Sequence, residues 1–202
     1  MAARAPDLHL IRDASLVILA GGRSTRMGRD KAGLPVAGVT LVEWTVRRLG
    51  SDFAETIVAG AAAPPGARAV PDRRSDAGPL GGIEAGLLAA HSPFTFVVAC
   101  DMPRASVALA SFLLARCAGH DAAVPRIDGR AQPTCAAYAR TAAPKIGAYL
   151  DRGARRATEA LDDLDVAYVD LPDLANAGIA ATELDDLDTP ADYDAFIASL
   201  RA

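Results

Sequence analysis

Residues 18–35 read ILAGGRSTRMGRDKAGLP. An apolar run stops at Gly21-Gly22, and four cationic side chains, Arg23, Arg26, Arg29 and Lys31, follow within nine residues. Paired glycines let a ligand approach the backbone with no Cβ in the way, and successive N–H groups in such a turn form a nest for an anion. Arg23, Arg26 and Lys31 carry the charge to neutralise a polyphosphate. The spacing is neither a Walker A loop nor a GxGxxG fingerprint, because Gly22 and Gly28 enclose five residues and no Gly-Lys-Ser/Thr follows. The stretch also reads as a glycine turn with solvated basic residues, but its place directly after a strand favours phosphate.

Acidic positions elsewhere suit the same ligand. Asp101, in VVACDMPRA, stands at the carboxyl end of a buried strand. A lone carboxylate there suits Mg²⁺ beside phosphates, since Mg²⁺ takes one or two protein carboxylates and keeps its waters. An N-cap or turn aspartate before Pro103 is the other reading. Asp72 ends a short strand before the glycine-rich turn Gly78-Pro79-Leu80-Gly81-Gly82, which leads into a helix. Such a turn can pass close to a flat base, and a carboxylate matches the two parallel donors of guanine. A capping aspartate and a packing turn remain the alternative. Asp185, Asp186 and Asp188 precede the last helix, where capping and charge at the helix N-terminus are the plain reading for Asp185.

The elements that must position these residues alternate. Strand patterns at 15–20, 55–59, 67–70 and 94–99 are interleaved with helical spacing at 40–50, 81–91 and 106–117. Thr40 and Glu43 form a capping-box pair, and Gly50 is a helix stop. The second half predicts strands at 122–125 and 134–138 around an Asp128-Gly129 turn, helices at 141–151 and 154–161, and an edge strand at 167–171. Thr189, Pro190 and Asp192 then start a final helix. Alternation with short connections implies an α/β fold: a mostly parallel sheet with helices on both faces. Residues 1–14 read as a flexible lead-in and 15–202 as a single domain.

The chain has 202 residues, a net charge of −4 and a pI near 5.3. Its basic cluster is local, which argues for a small anionic ligand and against a nucleic-acid partner, whose footprint is a broad basic face. Cys100, Cys117 and Cys135 have no zinc spacing and read as buried, inert thiols in a reduced cytoplasmic setting. The three histidines are scattered, with no metal-ligand spacing. No apolar run is long enough for a membrane span, and the N-terminal segment lacks a secretory h-region.

Together the motifs resemble a known family. LAGGRSTRMGRDK is similar to the LAGG-x-x-x-R-M-G-x-x-K signature of the molybdenum-cofactor guanylyltransferases, the MobA-like nucleotidyltransferases. DRRSDAGPLGGI, CDMP, DGRAQPTCAAY and DTPADY follow in the family's order. The resemblance implies a Rossmann-like three-layer fold and an enzyme that moves GMP from GTP to the terminal phosphate of molybdopterin cofactor, releasing pyrophosphate. It implies that Leu19, Ala20, Gly21 and Gly22 meet the nucleotide through backbone, that Lys31 holds phosphate, that Asp72, Gly78, Pro79 and Leu80 bind the nucleotide, and that Asp101 binds Mg²⁺. Arg23 and Arg26 become candidates for the pyrophosphate, with Arg26, Lys31 and Asp101 as the catalytic set, while Arg29 is left to solvent. Asp186 and Asp188 become candidates for water, a second metal or the pterin, and molybdoenzyme apoproteins or their chaperones become further partners. The chain departs from the pattern twice. It has no asparagine after the second strand, where it reads IVAGAAAP, and it carries Asp186-Leu187-Asp188-Thr189-Pro190 where guanylyl enzymes often show Asn-x-Asn-Thr-Pro. The second departure is more like the cytidylyl relatives. A cytidylyltransferase for the same pterin, a phosphosugar nucleotidyltransferase and a non-catalytic nucleotide- or cofactor-binding adaptor are therefore the competing readings.

Overall fold

A computed structural model describes residues 11–21 and 31–201. In chain order the first half runs β1 (Ser15–Leu19), β2 (Pro35–Val36), β3 (Val39–Thr40), α1 (Leu41–Leu49), β4 (Glu55–Ala59), β5 (Arg68–Val70), α2 (Gly78–Ala89), β6 (Phe94–Ala99) and α3 (Val107–Arg116). The second half runs β7 (Ala122–Ile127), β8 (Arg130–Ala131), β9 (Cys135–Ala139), α4 (Ala142–Asp151), α5 (Ala157–Ala160), β10 (Val166–Asp170), α6 (Leu171–Asn176) and α7 (Pro190–Ser199).

The main sheet has the order β10-β7-β9-β6-β1-β4-β5, with β8 added on β7. Its pairs are parallel except where β9 lies antiparallel to β6 and β7, and β8 to β7. Strand β1 sits centrally between β4 and β6, and all five of its residues are buried. Such a strand must be apolar on both sides, because helices cover both faces. Leu16 and Ile18 enter one core cluster with α1 and α3, while Val17 and Leu19 enter the other with α2 and α4. The three-layer α/β fold expected from the alternation is the one observed. Among the described residues no helix is long and apolar enough to cross a membrane.

Several local expectations change. The glycine-rich segment is helix, not a turn before a helix: α2 begins at Gly78. Glycine in a helix interior costs about 1 kcal/mol against alanine, but close packing outweighs it here. A Cβ on Gly86 would lie 2.5 Å from Val17 Cγ1, and one on Gly82 would lie 3.2 Å from Leu19 Cδ2. These glycines let α2 settle directly on β1. At α1, Thr40 accepts from the Glu43 N–H, but the Glu43 carboxylate pairs with Arg47 rather than closing a capping box. Gly50 keeps a right-handed conformation and runs into a further 3-10 turn, so it is no left-handed stop. The helix expected at 154–161 shortens to α5. Arg155 instead donates to the Leu150 carbonyl at the end of α4. The lead-in is anchored at its end, for Ile11 and Ala14 are buried in the core. The final helix starts as expected, with Thr189 and Asp192 in a reciprocal capping box.

Candidate active site

The carboxyl ends of β1 and β6 stop side by side. The Cys100 N–H donates to the Leu19 carbonyl at 2.9 Å, which sets Asp101 next to the end of β1. Lys31 opens a 3-10 turn, Lys31–Gly33, and the β2–β3 hairpin follows. From the far end of the chain, the Leu187 N–H donates to the Asp101 carbonyl at 2.8 Å. Leu187 is buried with Leu34, Val36, Leu41 and Phe196, a cluster that packs α7 against the hairpin. Its neighbours Asp186 and Asp188 are thereby held at the same rim as Asp101.

Lys31 joins these segments. Its Nζ donates to Asp101 Oδ2 and to Asp188 Oδ1, both at 2.8 Å. Burial works against its charge, but the two carboxylate hydrogen bonds outweigh burial and raise its pKa above the ordinary lysine value. Asp186 is pushed the other way for a carboxyl. Desolvation comes first, then the charges of Asp188 and Asp101, and together they raise its pKa against the opposing pull of Lys31. Three carboxylates thus converge on one ammonium among the described residues. A carboxylate-lined rim of this kind suits a cation shared with a phosphate ligand.

A cavity of about 230 Å³ opens here, lined by Leu19, Ala20, Gly21, Lys31, Pro79, Ala99, Cys100, Asp101, Met102, Thr134 and Asp186. On its Gly21 side the backbone just past β1 touches the backbone just past β4. A Cβ on Gly60 would lie 2.6 Å from Gly21 Cα, and Gly60 has φ +85, so only glycine fits there. Asp72 closes this corner, with Oδ2 3.4 Å from where a Gly21 Cβ would stand. Helix α2 brings Pro79 to the cavity, and its N-cap, Ala77, makes no side-chain cap bond. The positive dipole end of α2 therefore has no capping side chain at its N-cap.

Of the residues singled out from sequence, Leu19, Ala20, Gly21, Lys31, Pro79 and Asp101 line the cavity, Asp188 is tied to Lys31, and Asp72 borders Gly21. Gly78 begins α2 at φ +59, and Leu80 is 2% exposed, its side chain in the core. Gly22, Arg23, Arg26 and Arg29 lie outside the described residues. Sequence reasoning missed Cys100, Met102 and Thr134 as lining residues. Thr134 was visible only as part of DGRAQPTCAAY, and its carbonyl accepts from the Ala99 N–H at 2.8 Å, which brings β9 to the rim. It also missed the β2–β3 hairpin, signalled by valines on either side of Ala37-Gly38. Among the described residues no group of three His, Cys, Asp or Glu side chains forms a ready metal cage.

Residues 16–165 match the model of the MobA-like NTP transferase domain. The chain is 41% identical over 131 residues to a Pelotomaculum thermopropionicum protein named "Probable molybdenum cofactor guanylyltransferase", a match covering 63% of this chain and 64% of that protein. It is 32% identical to the molybdenum cofactor guanylyltransferase of Vibrio atlanticus, over 90% of this chain and 94% of that protein. The crystal structure of molybdopterin-guanine dinucleotide biosynthesis protein A from Archaeoglobus fulgidus superposes with a TM-score of 0.81 at 25% identity, covering 93% and 98% of the two chains.

Proposed function

The chain belongs to the MobA-like NTP transferase family and is a nucleotidyltransferase, and we propose that it transfers GMP from GTP to the terminal phosphate of molybdenum-loaded molybdopterin. The single observation that carries this reading is the Lys31 ammonium held between Asp101 and Asp188 at the joined ends of β1 and β6. It lines the same cavity as Pro79, in the first turn of α2.

The chemistry asks little of the protein in proton transfer. A phosphate oxygen of the pterin is already anionic and attacks the α-phosphorus of GTP. The new P–O bond forms as the bond to the bridging oxygen breaks, and pyrophosphate leaves with the electron pair. Alignment and charge neutralisation supply the catalysis. Lys31 has three N–H donors, two of them given to carboxylates, which leaves one for a phosphate oxygen. Its raised pKa keeps it cationic through neutral pH. Arg23 and Arg26 supply further charge toward pyrophosphate. Asp72, with the glycine corner of Gly21 and Gly60, favours a base with two parallel donors. The positive dipole end of α2 suits ligand oxygens.

Two carboxylates at an open rim fit Mg²⁺, which keeps waters and shares phosphate oxygens rather than filling a protein cage. Asp101 and Asp188 are the residues that would hold it, and when bound it supplies positive charge against the phosphates. We read residues 15–202 as one nucleotidyltransferase domain. The three buried thiols, none of them in a disulfide among the described residues, suit a cytoplasmic setting. The product would pass to molybdoenzyme apoproteins or their chaperones.

The aspartates at 186 and 188 favour one competing reading, cytidylyl transfer to the same pterin. Incubating the protein with each NTP, Mg²⁺ and molybdopterin, and measuring pyrophosphate and dinucleotide, decides between them. GTP should be the preferred donor. Preference for CTP overturns the guanylyl assignment, and nucleotide binding with no pyrophosphate release points to an adaptor.

A further inference from the structure

The loop between β5 and α2, residues 71–77, carries Asp72 to the Gly21–Gly60 corner and leads to Pro79, which lines the cavity. It turns through two left-handed residues, Asp76 at φ +54 and Gly78 at φ +59. Aspartate adopts this region more readily than most residues and glycine does so without strain, so these turns bend the loop without fixing where it runs.

The fastening is Arg74. Its Nε and Nη2 donate to the two carboxylate oxygens of Glu84 at 2.8 and 2.9 Å. Its Nη1 donates to Asp151 at 2.6 Å, and Nη2 also reaches the Gly147 carbonyl at 3.4 Å. Glu84 lies within α2 with its side chain only 5% exposed, while Gly147 and Asp151 belong to α4. Gly147 leaves the room for this arrangement: a Cβ there would come 2.9 Å from Glu84 Oε1. One guanidinium therefore ties the loop to two helices, through a planar fork that lysine cannot reproduce. An apolar pair of similar volume would often stabilise such a seam as well or better. The distinctive contribution of the ion pair is direction, because it fixes where the loop runs.

We propose that Arg74, clamped by Glu84 and Asp151, is a positioning residue that holds the Asp72–Pro79 stretch in the shape that receives the nucleotide. The inference rests on the reading that the cavity binds GTP. Arg74 touches no reacting atom in this scheme. Its loss weakens GTP capture and leaves the transfer step at saturating GTP nearly intact.

Binding of a fluorescent GTP analogue to the full chain with Mg²⁺, in the absence of pterin, reads the effect. Arg74→Met should weaken binding about tenfold and raise the KM for GTP alike, with kcat within about threefold of wild type. Arg74→Lys should fall between the two. Arg74→Met leaves Glu84 buried without its partner and can unfold the protein, so the deciding variant is Arg74→Met/Glu84→Met. That variant should recover the wild-type melting temperature while GTP binding stays weak. A double variant that melts and binds GTP like wild type overturns the clamp, as does a loss confined to kcat. A wild-type chain that fails to bind GTP overturns the nucleotide reading itself.

Discussion

The two ends of β1 carry opposite kinds of electrostatics. At the amino end, Ser15 donates to Glu55 Oε1 at 2.8 Å, Arg68 donates to Oε2 at 2.8 Å, and the His91 N–H donates to Oε1 at 2.6 Å. The His91 ring adds a contact through Nδ1 at 3.0 Å. Burial alone would raise the Glu55 pKa, but these partners outweigh it and hold the carboxyl at about 2. One carboxylate there has donors on both oxygens. At the carboxyl end, Asp101, Asp186 and Asp188 converge on Lys31, and Asp186 is pushed up instead of down. A satisfied carboxylate contributes to folding. Carboxylates gathered at a cleft, one of them shifted upward, mark a candidate functional site rather than a folding contact. The same strand serves both ends, and its apolar middle keeps them apart.

The largest expected break in this contrast is Lys31→Ala. It removes the one described cation at the rim and should lower GMP transfer by two or more powers of ten, given the usual cost of a lost transition-state charge partner. Near-normal pyrophosphate release by a folded variant would show that the rim does not work as described. Next is Asp101→Asn, expected to cost about a hundredfold and to flatten the Mg²⁺ activation curve. A normal metal titration in that variant assigns the metal elsewhere. Gly86→Ala tests the layer beneath both ends. Its new Cβ meets Val17 at 2.5 Å, and overpacking of this kind costs about 1–3 kcal/mol. It should appear as a lower melting temperature, with kcat changed far less than by Lys31→Ala.

The smallest effect is expected from Glu55→Gln. Glu55 titrates lower in the folded state than in the unfolded chain, so its contribution is fully present above about pH 4.5 and is lost as pH falls toward about 2. The variant should lower the melting temperature by about 2–4 °C at neutral pH and by less at pH 3. GTP turnover should not change. A loss independent of pH, or one that removes activity, would erase the division between the two ends.

Much of the fold was legible because its signals are local. The unbroken apolar run Leu16–Leu19 implies a strand covered on both faces, and Thr189-Pro190-x-Asp192 implies a capped helix start, whatever the rest of the chain does. The GPLGG segment misled for the same reason. Glycine reads locally as a turn, while here Gly82 answers a strand, β1, that approaches α2 from elsewhere in the chain. The Glu43 capping box failed because Arg47, one turn away, competes for the same carboxylate.

The candidate site divides along the same line. By itself the sequence determined most of the elements, the glycine turn after the first strand with Lys31 beyond it, and the presence of Asp72 and Asp101 at strand ends. Periodicity and backbone sterics act over a few residues, and those are written in neighbouring letters. Only the tertiary structure decided that Lys31 bonds Asp188 across 157 residues, that Asp186 joins the same rim, and that Arg74 fastens the Asp72 loop to two helices. Hydrogen bonds and charge act through distance in space. That distance is set by strand order and by the packing of Leu187 and Phe196, neither of which any single stretch of sequence contains.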